Sequence, residues 1–163
     1  MTLSSIHTRA HQLGEILLTR HWRLSVAESC TGGTLCGAIT DIPGCSYWFD
    51  RGFITYSNDA KADCLGVQKK TIKQHGAVSE QTAIAMTTGV LTYAKQSQLS
   101  IAITGIAGPE GGSDLKPVGT VWIACASIEK LPLARAYLFV GNRPAIRHQA
   151  VSAALDLLIE YCS

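Results

Sequence analysis

The apolar run Leu99-Ser100-Ile101-Ala102-Ile103-Thr104 passes directly into a segment with five glycines and two prolines between Gly105 and Gly119. A short run so apolar, stopped by glycine, reads as a buried strand, and buried strands belong to sheets covered by helices. The surrounding pattern agrees. Leu3, Ile6, Ala10, Leu13 and Leu17 recur at helical spacing and predict a first helix from Leu3 to His21. Arg23 to Ala27 reads as a short strand, followed by a turn at Ser29 and a helix from about Thr31 to Thr40. Gly52 to Tyr56 reads as the next strand, and Asn58 or Asp59 is expected to cap a short helix carrying Lys61 and Leu65. Ser79 has the character of another N-cap, opening a helix to about Gln96.

After the central strand, Val118 to Ser127 and Ala134 to Val140 form a predicted antiparallel hairpin, turning between Glu129 and Pro132. Asn142 caps the last helix, with Pro144 in its first turn, and that helix is expected to run to about Tyr161. Strands alternating with helices predict an α/β fold, a three-layer α/β/α sandwich with a mixed, mostly parallel sheet. The late hairpin supplies the antiparallel part. No linker or repeat interrupts the 163 residues, so one domain over 1–163 is expected.

Composition narrows the function. A net charge of +2, with no block of like charge, gives no reason to expect nucleic-acid or membrane-surface binding. No apolar run approaches the ~20 residues that span a bilayer, and Met1 to Leu13 lacks the features of a signal peptide. The six cysteines, at 30, 36, 45, 64, 125 and 162, include no C-x-x-C pair or zinc-finger spacing. With 47% hydrophobic residues the chain does not need disulfide staples, so reduced thiols and a cytoplasmic location are expected.

Two loops carry the chemistry. Glu28-Ser29-Cys30-Thr31-Gly32-Gly33 joins a strand to a helix, the geometry that aims backbone N–H groups at an anion, and its glycines admit a ligand close to the backbone. The same sequence also suits a plain capped turn. Gly105 to Gly119, at the carboxyl end of the apolar strand, lies where ligands bind in open α/β sheets, with Lys116 as a nearby point charge. Among side chains, Ser46, Tyr56 and Lys61 are the catalytic candidates. A serine needs a base, no histidine is placed to serve, and a lysine can do so if burial lowers its pKa. Spacing alone equally allows a cap, a strand-end aromatic and a solvated lysine. Cys30 at a helix start is an alternative nucleophile without an evident base. Arg51 and Arg143 could meet a phosphate or carboxylate, and Glu28 could orient a hydroxyl or the lysine.

These motifs in order also resemble a known family. Ala27 to Gly33, Phe49 to Asn58, Ala60-Lys61, Leu65-Gly66-Val67, His75 to Ser79, Thr104 to Pro109, Gly111-Gly112 and Lys116 to Val121 match the CinA C-terminal family of nicotinamide-nucleotide amidases. The match covers nearly the whole chain. The resemblance implies the three-layer fold and hydrolysis of the carboxamide of nicotinamide mononucleotide in pyridine-nucleotide salvage, without metal or cofactor. It places the catalytic roles on Ser46, Tyr56 and Lys61, with Ser29 as a further active-site residue. Substrate contacts are expected from Glu28, Cys30, Thr31, Gly32, Gly33, Thr104, Gly105, Ala107, Gly108 and Arg143. The chain looks like the family's stand-alone form, and a homo-oligomer such as a dimer is expected. A nucleotide-binding module without turnover is the alternative, linked to DNA competence or damage only through the family's name.

Overall fold

The computed structural model describes residues 5–163. Five strands form one sheet in the order β2-β1-β3-β4-β5. They are β1 (Leu24–Glu28), β2 (Phe49–Ile54), β3 (Leu99–Gly105), β4 (Thr120–Ser127) and β5 (Leu133–Leu138). The pairs β1–β2 and β1–β3 are parallel, and β3–β4 and β4–β5 are antiparallel. This is the expected mixed sheet, with the hairpin at the end away from β2.

Among the described residues six α-helices cover it: α1 (Ser5–Arg20), α2 (Thr34–Thr40), α3 (Asn58–Leu65), α4 (Lys69–His75), α5 (Glu80–Tyr93) and α6 (Arg143–Cys162). The strands explain which helices pack where. Leu24 and Val26 of β1 and Leu99, Ile101 and Ile103 of β3 project to one face, where they meet Leu13, Leu17, Leu35, Ile39, Leu155 and Leu158 from α1, α2 and α6. The alternate positions are small. Ala27 and Ala102 face Leu65, Met86 and Val90 of α3 and α5. Ser100 meets Thr87 at 2.7 Å between hydroxyls. Period-2 alternation of large and small residues thus assigns a bulky layer to one face and a closely packed helix to the other. Gly89 allows that closeness, because a Cβ there would sit 2.1 Å from the Leu65 carbonyl. Gly14 does the same for Trp48, whose buried indole would lie 2.9 Å from an added Cβ, which makes Trp48 a core residue.

Several boundaries differ from expectation for local reasons. Leu3, the expected start of the first helix, lies outside the described residues. The second helix begins at Thr34 instead of Thr31, because Gly32 and Gly33 take left-handed φ values of 58° and 99°. The cap of α3 is Ser57, not Asn58 or Asp59: its side chain accepts from Ala60 N. Helix α4 was not expected from the sequence. It is short, follows Gly66 in left-handed conformation, and contains no buried residue that would have marked an apolar stripe. Ser79 and Asn142 cap α5 and α6 as expected, accepting from Thr82 N and Ala145 N.

Three parallel strands lie side by side, with β2 on one side of β1 and β3, the strand that follows β2 in sequence, on the other. That reversal of direction is where open α/β sheets leave a crevice at their carboxyl ends. Glu28, Ile54 and Gly105 end those strands. Among the described residues no helix is long and apolar enough to cross a membrane.

Candidate active site

A cleft of about 260 Å³ opens at this end of the sheet. That lies near the lower edge of small-molecule sites, roughly 300–1,000 Å³. One wall is the turn after β1, with Ser29 and Cys30; the second is the segment after β2, with Tyr56, Asn58 and Lys61; the third is the loop after β3, from Thr104 to Gly111. Arg143, at the start of α6, lines its mouth.

Lys61 is 1% exposed although it lies on the short helix α3. Its Nζ sits 3.0 Å from Ser29 Oγ, 2.9 Å from the Thr55 carbonyl and 3.2 Å from the Tyr56 carbonyl. Burial lowers its pKa from the ordinary lysine value. Nζ donates to all three oxygens; in the neutral form two N–H bonds still serve the carbonyls and a lone pair is left for the Ser29 hydroxyl. That is the arrangement of a base beside a nucleophile. The Ser29 hydroxyl also lies 3.4 Å from the Tyr56 carbonyl, so it is oriented from a second side.

Tyr56 lines the cleft with an exposed phenol, which accepts from Arg143 Nη2 at 3.0 Å. Arg143 Nη1 donates to the Gly108 carbonyl at 2.9 Å, tying the β2 and β3 loops together. Thr104 is buried and donates from Oγ1 to Ala77 O at 2.9 Å, so its hydroxyl fixes the opposite wall. Gly105, Ala107 and Gly108 line the cleft. Cys30 lines it too, but burial pushes its thiol up to about 11, so it is not a thiolate nucleophile at neutral pH.

Four expected substrate contacts do not reach the cleft. The Glu28 carboxylate is fully buried and accepts from Gly33 N at 3.0 Å, Leu35 N at 3.1 Å and Cys36 N at 2.8 Å. The helix start expected to hold a ligand's anion is therefore occupied by the chain's own carboxylate, a helix cap supplied from the preceding strand. Thr31, Gly32 and Gly33 belong to the same closed turn: Gly32 N donates to Ser29 O, and the Thr31 carbonyl accepts from Arg147. Replacing Glu28 by Ala strands three N–H groups, and we expect a loss of about 3 kcal/mol of stability. Urea unfolding would show it as a lower midpoint at unchanged slope, with Glu28→Gln intermediate because it retains one acceptor oxygen.

Ser46 is the larger correction. It lies in a single 3₁₀ turn (Cys45–Tyr47) just before β2, at the amino end of the strand. There its carbonyl accepts from Arg23 Nη2 at 3.0 Å, and Arg23 directly precedes β1. Tyr56 and Lys61 follow the other end of β2. Six strand residues at ~3.3 Å each put roughly 20 Å between the two ends. Ser46 therefore cannot share a proton with Lys61, and the serine that can is Ser29. Lys116 is also elsewhere: its ammonium donates to His75 O at 2.8 Å and does not line the cleft. Arg51 is likewise engaged away from it, with Asp50 at 2.7 Å.

The cleft also holds residues that sequence reasoning missed. Asn58 comes from the run that supplies Tyr56 and Lys61, Ala77 and Val78 from the segment before Ser79, and Ile106, Glu110 and Gly111 from the glycine-rich loop. The signal for these was adjacency to residues already singled out. Among the described residues, no group of three or more His, Cys, Asp or Glu is placed to hold a metal ion.

The chain is similar to known proteins over nearly its whole length. The family model described as the CinA C-terminal domain matches residues 6–162. A nicotinamide-nucleotide amidohydrolase PncC of Escherichia coli K12 is 48% identical over 158 residues, which is 97% of this chain and 95% of that protein. A CinA-like protein of Syntrophobacter fumaroxidans is 51% identical over 146 residues, 90% of this chain and 34% of its own length. The crystal structure of the competence/damage inducible protein CihA from Agrobacterium tumefaciens superposes with a TM-score of 0.94 at 42% identity, covering 98% of both chains.

Proposed function

Because the chain belongs to the CinA C-terminal domain family, we propose that it hydrolyses the carboxamide of nicotinamide mononucleotide, with Ser29 as nucleophile and Lys61 as its base. The observation that carries this reading is the 3.0 Å contact between a buried lysine amine and a serine hydroxyl at the floor of a cleft. The substrate is taken from the name of the Escherichia coli relative.

In this mechanism the neutral Lys61 amine takes the Ser29 proton as Oγ attacks the carboxamide carbon. The developing oxyanion is met by the Cys30 N–H, which among the described residues has no acceptor on another residue and belongs to a cleft-lining residue. Lys61 returns the proton to the departing nitrogen, the C–N bond breaks, and ammonia leaves. Water, deprotonated by the same amine, then attacks the ester, freeing Ser29 and nicotinic acid mononucleotide. Arg143 supplies the cation at the cleft mouth for the substrate phosphate, and its bonds to Gly108 O and Tyr56 hold it there. Phosphate held at the mouth places the amide at the floor, where proximity contributes to rate. The reaction belongs to pyridine-nucleotide salvage. We place it in the cytoplasm, where a reducing environment keeps thiols such as this chain's six free cysteines unpaired.

Ammonia release tests the proposal directly, measured with nicotinamide mononucleotide beside nicotinamide and nicotinamide riboside. The expected outcome is release from the mononucleotide far exceeding release from either phosphate-free compound. Folded protein that the mononucleotide stabilises thermally, yet that releases no ammonia, would instead favour a binding module.

A further inference from the structure

Arg143 and Arg147 stand one turn apart on α6 and so share a face of the helix. Arg143 lines the cleft; Arg147 does not. Arg147 reaches past it to the back of the Ser29 turn. Its Nε donates to the Cys30 carbonyl at 3.0 Å, and Nη2 donates to the Thr31 carbonyl at 2.9 Å and to Thr34 Oγ1 at 3.0 Å. Resting on the reading of Ser29 as nucleophile, we propose that Arg147 is a positioning residue that braces the Ser29 turn from behind and so holds the Ser29 hydroxyl in register with Lys61.

Peptide geometry connects the guanidinium to the cleft. In a trans peptide the C=O of one residue and the N–H of the next lie in one plane and point in opposite directions. Holding the Cys30 carbonyl toward Arg147 therefore turns the Thr31 N–H away from Arg147. The Ser29 carbonyl is likewise held by Gly32 N at 3.1 Å, which sets the Cys30 N–H on the opposite side. Along the turn, Ser29 N donates to Ile103 O, Gly32 N to Ser29 O, Gly33 N to Glu28 and Thr34 N to Thr31 O. Among the described residues the N–H groups of Cys30 and Thr31 have no acceptor on another residue, and of the two residues Cys30 lines the cleft.

The turn needs such a brace. Gly32 and Gly33 give it two positions of wide conformational freedom. Glu28 fixes only the helix side, from Gly33 onward. Arg147 fixes the nucleophile side. A planar fork serving three acceptors is a task lysine cannot reproduce with a single ammonium.

The test compares Arg147→Lys and Arg147→Ala with the wild type in two assays. The first is steady-state ammonia release from nicotinamide mononucleotide. The second is the rate of Ser29 sulfonylation by phenylmethanesulfonyl fluoride, located by peptide mass mapping, which needs no turnover. We expect kcat and the labelling rate to fall together by about 10- to 100-fold, the scale of a small misplacement of reacting groups. KM should stay within about 2-fold, since Arg147 lies outside the cleft lining, and guanidinium added below the concentrations that unfold the protein should partly restore Arg147→Ala. Unchanged rates in both variants would overturn the proposal. So would losses that track the unfolded fraction in thermal melts and are not restored by guanidinium. A wild type that labels at Ser29 but releases no ammonia would defeat the substrate reading alone, and labelling of the variants would still decide the role of Arg147. A wild type in which Ser29 resists labelling would overturn both.

Discussion

Lys61→Arg is expected to lower kcat/KM by roughly 10³-fold or more and to erase its pH dependence on the acid side. The substitution keeps a cation and most of the length. It removes the one property the mechanism needs, because a guanidinium stays protonated throughout the accessible range. In the proposed mechanism the working form of Lys61 is the neutral amine, so activity should rise with pH, tenfold per unit, and level off above the lysine's pKa. Burial moves that pKa downward, which moves the limb toward neutral pH. The Thr55 and Tyr56 carbonyls oppose the shift by accepting hydrogen bonds that would also suit an ammonium. Burial is the larger influence, because Nζ is enclosed with no carboxylate among its hydrogen-bond partners. An acid limb that survives in Lys61→Arg would assign the base to another group.

Ser29→Ala is the second large effect. Removing the nucleophile of a serine hydrolase costs about 10⁴- to 10⁶-fold in kcat, the remainder coming from oxyanion donors and substrate placement. The change is small structurally: the hydroxyl's partners are Lys61 and the Tyr56 carbonyl, and both keep other hydrogen-bonding or solvent contacts. We therefore expect near-normal thermal stability and unchanged nucleotide binding. In the proposed mechanism Ser29 and Lys61 act as a unit, so the double variant should be no slower than the worse single one. Additive losses, measured in ammonia release from all three variants, would mean that the two groups act in separate steps.

The order of elements was legible because it is written in local periodicity. The strand at Leu99, the alternating hairpin and the caps at Ser79 and Asn142 each depend on neighbours within a few positions. So was the cleft's general place, since glycine-rich segments after strands fall at one end of such a sheet. The choice between two serines was harder. Both stand beside a strand, and their difference is that Ser29 follows β1 while Ser46 precedes β2. A strand boundary drawn at Gly52 instead of Phe49 hides how directly Ser46 leads into the wrong end. Glu28 shows a different obscurity. A strand–turn–helix segment with glycines signals an anion at the helix start, and the sequence cannot say that the anion is the strand's own last side chain. Arg147 left no local trace, because the carbonyls it holds lie 116 and 117 residues away.

The proposed nucleophile is Ser29 at the carboxyl end of the sheet and not Ser46 at its amino end. Ammonia release from nicotinamide mononucleotide by Ser29→Ala and Ser46→Ala beside the wild type separates the two. Release is expected to fall by about 10⁴-fold or more in Ser29→Ala and to stay within about 3-fold in Ser46→Ala. Loss in a folded Ser46→Ala protein, with Ser29→Ala still active, would contradict the assignment of Ser29.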